Sequence, residues 1–144
     1  MRVTFVNRST RALSPSQFRP FLRRLASFLD TPPGGLTVLF CDDREIAELN
    51  RAWRGKAGPT DVLSFPAGIG TAGRGAYLGD LAISVQTAAR AARRAGYPLH
   101  REIEALLAHG LLHVLGFDHG TDDGTMMRLQ TRALRHVRPN GSRR

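Results

Sequence analysis

The sequence predicts an α+β fold in which a small mixed β-sheet of about four strands packs against helices. Four short segments have the alternation or the apolar content of strands. Five longer segments repeat apolar residues at helical spacing, and capping or turn residues separate them. The predicted element order is β-α-β-α-β-β-α-α-α, which leaves no linker long enough to divide the chain.

The first half of the chain alternates strand and helix. Residues 1–7 alternate as a strand, and residues 36–41 form a second strand. Between them, Ser14 to Gln17 reads as a capping box with proline at the first helical position, which predicts a helix to about Asp30. Its apolar face comprises Phe18, Phe21, Leu22, Leu25 and Leu29.

The middle of the chain adds one helix and two strands. Asp42 to Glu45 offers another capping box and opens a helix with apolar residues at helical spacing. Those residues are Ile46, Leu49 and Trp53. Residues 61–65 and 78–84 are the third and fourth strands. The glycine-rich residues 68–75 between them predict a mobile connection, because their G-x-G-x-x-G match is followed by a strand instead of a helix.

Three helices are predicted in succession after the fourth strand. Ser84 caps a helix that runs to Gly96, and Pro98 begins the next helix. Asp122 or Asp123 caps the last one. Its inward-facing residues are Met126, Leu129, Ala133 and Leu134.

Composition bounds the class of protein. The 21 basic and 12 acidic side chains give a net charge of +9, which favours polyanionic partners, nucleic acid before anionic membrane. The single cysteine excludes an internal disulfide and a cysteine-rich zinc site. Neither a signal peptide nor a membrane-length apolar run is visible, so we expect a cytoplasmic protein. We predict one domain over residues 1–138, a metal-dependent hydrolase, and a flexible basic tail over 139–144.

Three histidines in one short segment predict a metal site. His109 and His113 are four residues apart and share one face of a helix. Gly116 can end that helix in a left-handed conformation, so that His119 turns back toward the other two. Three imidazoles leave one position of a tetrahedral zinc open, as in catalytic sites. Because the helix is apolar on most sides, burying these rings without a shared metal would cost free energy.

The spacing H-x-x-x-H-x-x-G-x-x-H is that of the metzincin peptidases, so the helix is zincin-like. Those enzymes carry a glutamate base after the first histidine, where this chain has Gly110. A metallopeptidase is therefore disfavoured. Asp118 is the nearest alternative base, although it can equally orient an imidazole.

Arg54 is the second candidate functional residue. It lies where a helix gives way to a loop, followed by Lys56. A guanidinium in that place can bind a phosphate through two hydrogen bonds, or it can pair with a carboxylate such as that of Asp61. The spacing alone does not separate these two interpretations.

Three blocks of the chain resemble the YbeY-type endoribonucleases, which are bacterial ribosomal RNA maturation factors. The blocks are residues 50–66, with R-G-K and P-T-D-V-L-S-F-P, residues 78–84, L-G-D-L-A-I-S, and residues 109–119. Phe117 stands where the family usually has tyrosine, and Val114 replaces a usual leucine.

The resemblance implies a zinc-dependent, single-strand-specific endoribonuclease that matures the 3′ end of small-subunit ribosomal RNA and acts in ribosome quality control. It implies one Zn²⁺ per chain on His109, His113 and His119, and a functional role for Arg54. Ribosomal proteins or ribosome-associated GTPases are the implied protein partners. The alternative is a metal-stabilised RNA-binding or ribosome-associated factor without catalysis.

Overall fold

The computed structural model describes residues 1–67, 76–117 and 124–138. Within that part of the chain, the elements follow the predicted order. They are strands β1 (Arg2–Asn7), β2 (Gly35–Cys41), β3 (Val62–Pro66) and β4 (Tyr77–Ser84), and helices α1 (Arg19–Phe28), α2 (Asp43–Arg54), α3 (Val85–Ala95), α4 (Leu99–Val114) and α5 (Thr125–Val137). A short 3₁₀ turn, Pro15–Phe18, precedes α1. The glycine-rich connection and the basic tail lie outside the described residues.

The four strands form one mixed sheet in the order β1-β2-β4-β3. The pairs β1–β2 and β2–β4 are parallel, whereas β3 runs antiparallel to β4 and lies at one edge. The predicted α+β fold with a small mixed sheet is therefore confirmed. Among the described helices, none is both long enough and apolar enough to cross a lipid bilayer.

One face of the sheet, called here the core face, is covered by helices. Alternate strand residues such as Val38 and Phe40 of β2 and Leu81 of β4 enter a large apolar cluster with α1, α3, α4 and α5. Helix α4 is the centre of this layer. Its buried residues are Arg101, Ile103, Leu106, Leu107, Ala108, Gly110, Leu111 and Leu112.

The opposite face of the sheet, the second face, carries α2 over a smaller apolar cluster of Cys41, Ile46, Leu63 and Ala82. Burial, and next the negative charge of Glu45, raise the pKa of the Cys41 thiol to about 12. The thiol is therefore protonated and inert near neutral pH.

The helix starts were predicted with mixed success. Ser84 caps α3 as expected, because its hydroxyl accepts the Thr87 N–H at 3.1 Å. Ser14 and Asp42 occupy N-cap positions, but neither side chain caps its helix. The Asp42 carboxylate instead accepts the backbone N–H of Thr10, which tertiary structure brings close.

The last helix was predicted to be capped by Asp122 or Asp123, and both of these residues lie outside the described part of the chain. The N-cap of α5 is Gly124, which has a φ of 93°. A glycine accepts this left-handed conformation without the steric cost that a side chain would bring.

Candidate active site

Helix α4 places two of the three predicted ligands beside each other. The Nε2 atoms of His109 and His113 are 3.1 Å apart, and the ring centroids are 4.6 Å apart. With zinc–nitrogen bonds of about 2.0–2.1 Å, two imidazoles on one tetrahedral ion would have nitrogens roughly 3.3 Å apart. The donor type and the separation of these two nitrogens therefore fit a shared divalent metal.

Gln130 of α5 orients the first of these rings. Its Oε1 lies 3.0 Å from Nδ1 of His109. Because an amide oxygen only accepts, Nδ1 carries the proton, and the lone pair on Nε2 is directed toward His113. Sequence reasoning missed Gln130, which lies 21 residues from His109 and carries no motif of its own.

Gly110 follows the first histidine because α4 approaches the sheet closely there. A Cβ atom at this position would lie 2.8 Å from Cδ2 of Leu81, closer than real contacts of this kind. The Gly110 carbonyl also accepts a hydrogen bond from Ser64 Oγ of β3 at 3.3 Å. Glycine at position 110 therefore allows α4 to pack closely against Leu81 and β3.

The last turn of α2 carries Arg54 to the same site from the other side. The helix ends at Arg54 because Gly55 adopts a left-handed φ of 66°. Arg54 is exposed, and within the described residues it forms no ion pair. The carboxylate of Asp61, its alternative partner, instead accepts the N–H of Val62 at 2.8 Å.

A buried amide holds the loop after Arg54. Asn50 is only 6% exposed, and its Nδ2 donates to the carbonyl of Gly58 at 3.0 Å. This bond ties the loop to α2 just before Thr60 and Asp61. The sequence block contained Asn50, but only its burial indicates this positioning role.

These elements enclose a cleft of about 640 Å³. Its lining residues are Arg54, Thr60, Asp61, Val62, Ser64, Pro66, His109, His113, Gly116 and Phe117. The structure thus brings three of the predicted site residues together. His119, the third predicted ligand, and Asp118 lie outside the described residues, and within those described no three His, Cys, Asp or Glu side chains group to hold a metal.

Comparison with known proteins identifies the family of this chain. A family model described as "Endoribonuclease YbeY" matches residues 7–138. The chain belongs to the YbeY family.

Two curated relatives, both named "Endoribonuclease YbeY", illustrate the similarity. The YbeY protein of Synechococcus sp. (strain CC9605) is 47% identical over 105 residues, which cover 69% of this chain and 63% of the relative. That of Jannaschia sp. (strain CCS1) is 48% identical over 118 residues, which cover 74% of each. The chain thus spans less than two thirds of the length of the Synechococcus relative.

A solved structure shares the fold of this YbeY-family chain. The solution structure of a Thermotoga maritima protein superposes with a TM-score of 0.66, at 21% identity and over 99% of both chains. At this identity the likeness supports the α+β architecture and nothing finer.

Proposed function

We propose that this chain is a metal-dependent endoribonuclease, a hydrolase that cleaves single-stranded RNA. One observation carries the proposal: a single cleft holds two histidine nitrogens 3.1 Å apart and an arginine that forms no ion pair within the described residues. A cation site beside a guanidinium is suited to a phosphodiester, because both groups interact with anionic oxygens. The net charge of +9 favours a polyanionic substrate in the same way.

The substrate and partners are proposed from the resemblance to the family. The names of the relatives support an endoribonuclease. The resemblance of the sequence supports ribosomal RNA as the substrate, with action at the 3′ end of the small-subunit RNA and in ribosome quality control. Ribosomal proteins or ribosome-associated GTPases are the proposed protein partners, and the cytoplasm is the proposed compartment. Residues 1–138 are the proposed catalytic domain.

The metal proposed is one Zn²⁺ per chain, held by His109, His113 and His119. Imidazole donors suit zinc, and three of them leave a position open for substrate or solvent. When bound, the ion would supply Lewis acidity toward a phosphate oxygen and a water molecule. Gln130 keeps the Nε2 lone pair of His109 available for it.

Arg54 is the proposed catalytic arginine. Its exposed guanidinium can bind two phosphate oxygens and stabilise the negative charge that grows on them in the transition state. The attacking oxygen belongs either to water or to the substrate's own 2′-hydroxyl. A 2′,3′-cyclic phosphate on the product would identify the second route.

The test uses highly purified chain, a single-stranded RNA and a duplex of the same sequence. We expect cleavage of the single strand, loss of cleavage after chelation, and recovery on adding Zn²⁺. The variant His113→Ala should lose both metal, measured by elemental analysis, and cleavage. His100→Ala, which removes an imidazole elsewhere on α4, is the matched control.

Each failure has a distinct meaning. Cleavage that persists in metal-free His113→Ala would contradict the metal-dependent mechanism. RNA binding with metal bound but without cleavage would favour the non-catalytic RNA-binding factor. Digestion of casein but not of RNA would favour a peptidase, despite the position of Gly110.

A further inference from the structure

A second cavity lies on the second face of the sheet, beside α2. This cavity, the Trp53 groove, has a volume of about 370 Å³. It is lined by Val6, Arg8, Thr37, Leu39, Leu49, Trp53, Phe65, Asp80, Leu81 and Ala82. Apolar side chains dominate this lining, and the polar ones come from three different strands or their ends. The function proposed above makes no use of the groove.

Trp53 is the most exposed large apolar side chain in the described part of the chain. It is 71% exposed, although its helical spacing with Ile46 and Leu49 resembles that of a core residue. Its ring meets that of Phe65 nearly at right angles, with the centroids 6.2 Å apart. This contact holds the indole against β3, while most of its surface remains accessible to a ligand.

Two elements, α2 and β3, contribute residues to both the Trp53 groove and the cleft. On α2, Trp53 lines the groove and its neighbour Arg54 lines the cleft. On β3, Phe65 lines the groove, whereas Ser64 and Pro66 line the cleft. The aromatic surface and the candidate phosphate-binding arginine therefore come from consecutive residues at the end of α2, beside the edge strand β3.

We propose that the Trp53 groove binds an unpaired nucleobase of the strand whose phosphate lies at Arg54, by stacking on the indole. The inference rests on the nuclease function proposed above and deepens it. Every base has a π-face, so stacking tolerates any sequence, but it requires a base free of its pairing partner. The groove thus gives a physical reason for preferring single strands over duplexes.

The groove favours a nucleobase over a protein segment because of what lies next to it. An aromatic platform beside an arginine repeats the alternation of base and phosphate along a nucleic acid strand. The net charge of +9 also attracts such a strand.

Trp53 is the single tryptophan of the chain, so its fluorescence reports on the site directly. The probes are a short 2′-O-methyl oligonucleotide, which resists attack by a 2′-hydroxyl, and an abasic strand of equal length and charge. We expect the base-bearing strand to quench the fluorescence and to bind roughly 5- to 150-fold more tightly than the abasic strand. Fluorescein anisotropy measures both affinities at one fixed salt concentration.

Substitutions of Trp53 test whether the difference in affinity between the two strands comes from the indole. Trp53→Ala should remove the preference for the base-bearing strand, and Trp53→Phe should restore most of it, since phenylalanine also stacks. Met127→Ala is the matched control, because Met127 is 48% exposed but lines neither the groove nor the cleft. It should bind both strands as the unaltered chain does.

The outcomes separate this inference from the function on which it rests. Equal binding of the two strands, or a preference that survives in Trp53→Ala, would overturn the base subsite while RNA cleavage still supports the nuclease. A groove that serves a protein partner would give this result. Binding of neither strand, together with no cleavage of RNA, would overturn both proposals.

Discussion

The two walls of the cleft are built in opposite ways. Half of the residues of the α4 wall are buried, and Gln130 fixes the ring of His109. The α2 wall buries only Ile46 and Asn50, and it ends in exposed side chains at Trp53 and Arg54. A metal site needs fixed donors, whereas a polymeric substrate needs accessible ones. Variants of the two walls should therefore affect different properties.

The largest effect is expected on the exposed wall. Arg54→Ala should lower kcat for RNA cleavage by about 10²- to 10³-fold, because the charge that faces the phosphate is lost. Bound metal and unfolding free energy should stay unchanged, since Arg54 is exposed. Single-turnover cleavage, elemental analysis and urea unfolding measure these three properties. Arg51→Ala, another exposed arginine of α2, controls for net charge, and undiminished cleavage by Arg54→Ala would remove the catalytic role.

A smaller effect is expected on the buried wall. Gln130→Ala should weaken metal binding by about 10- to 100-fold, because the His109 ring loses the acceptor that orients it. Competition with a chelator of known affinity measures the change. Gln130→Glu keeps an acceptor oxygen and should retain more of the affinity. Thr131→Ala, on the exposed side of the same helix, is the control, and equal metal affinity in all variants would contradict the role of Gln130.

The smallest effect is expected for a change in stability at Asp43, which anchors the start of α2. Asp43, in the first turn of α2, accepts hydrogen bonds from Ser84 and Thr87 of 2.6 Å each and from Arg90 of 2.8 Å. Burial opposes ionisation, but these hydrogen bonds outweigh it and lower the pKa of the carboxyl below its usual 3.8. Because asparagine keeps one acceptor oxygen, Asp43→Asn should reduce the free energy of unfolding at pH 7 by only about 0.5–1.5 kcal/mol.

The loss of stability in Asp43→Asn should depend on pH. A carboxyl with a lower pKa in the folded state contributes stability above its unfolded pKa, and the contribution disappears as the pH falls through the folded value. The difference between Asp43→Asn and the unaltered chain should shrink below about pH 4. Urea unfolding at pH 7 and at pH 3 measures it. A difference that is constant with pH would show that the ionised carboxylate is not responsible.

The sequence predicted the elements better than their contacts. Strand alternation and helical spacing depend on each residue's immediate neighbours, and the order of the four strands and five α-helices seen in the described residues was predicted correctly. Trp53 shows the limit of periodicity. It continues the apolar spacing of α2, but the helix extends past the small cluster of the second face, so the indole is exposed.

The candidate site was likewise predicted only in part from the sequence. The spacing of His109 and His113 predicted their proximity, because four residues make about one helical turn. Gln130 carried no signal in the sequence, and Asn50 appeared only as part of a block of family resemblance. The role of each depends on a contact that forms on folding, between Gln130 and His109 and between Asn50 and the Gly58 carbonyl. His119 as the third ligand and Arg54 as the catalytic arginine remain predictions.

The contact between Gly110 and Leu81 also limits how this helix can diverge. Acquiring a glutamate at codon 110 would resemble a short route toward peptidase chemistry. A side chain there would meet the Cδ atoms of Leu81, so either Leu81 or α4 would have to shift to admit it. We therefore expect larger residues at position 110 to occur together with smaller ones at position 81, so that the two positions vary as a pair.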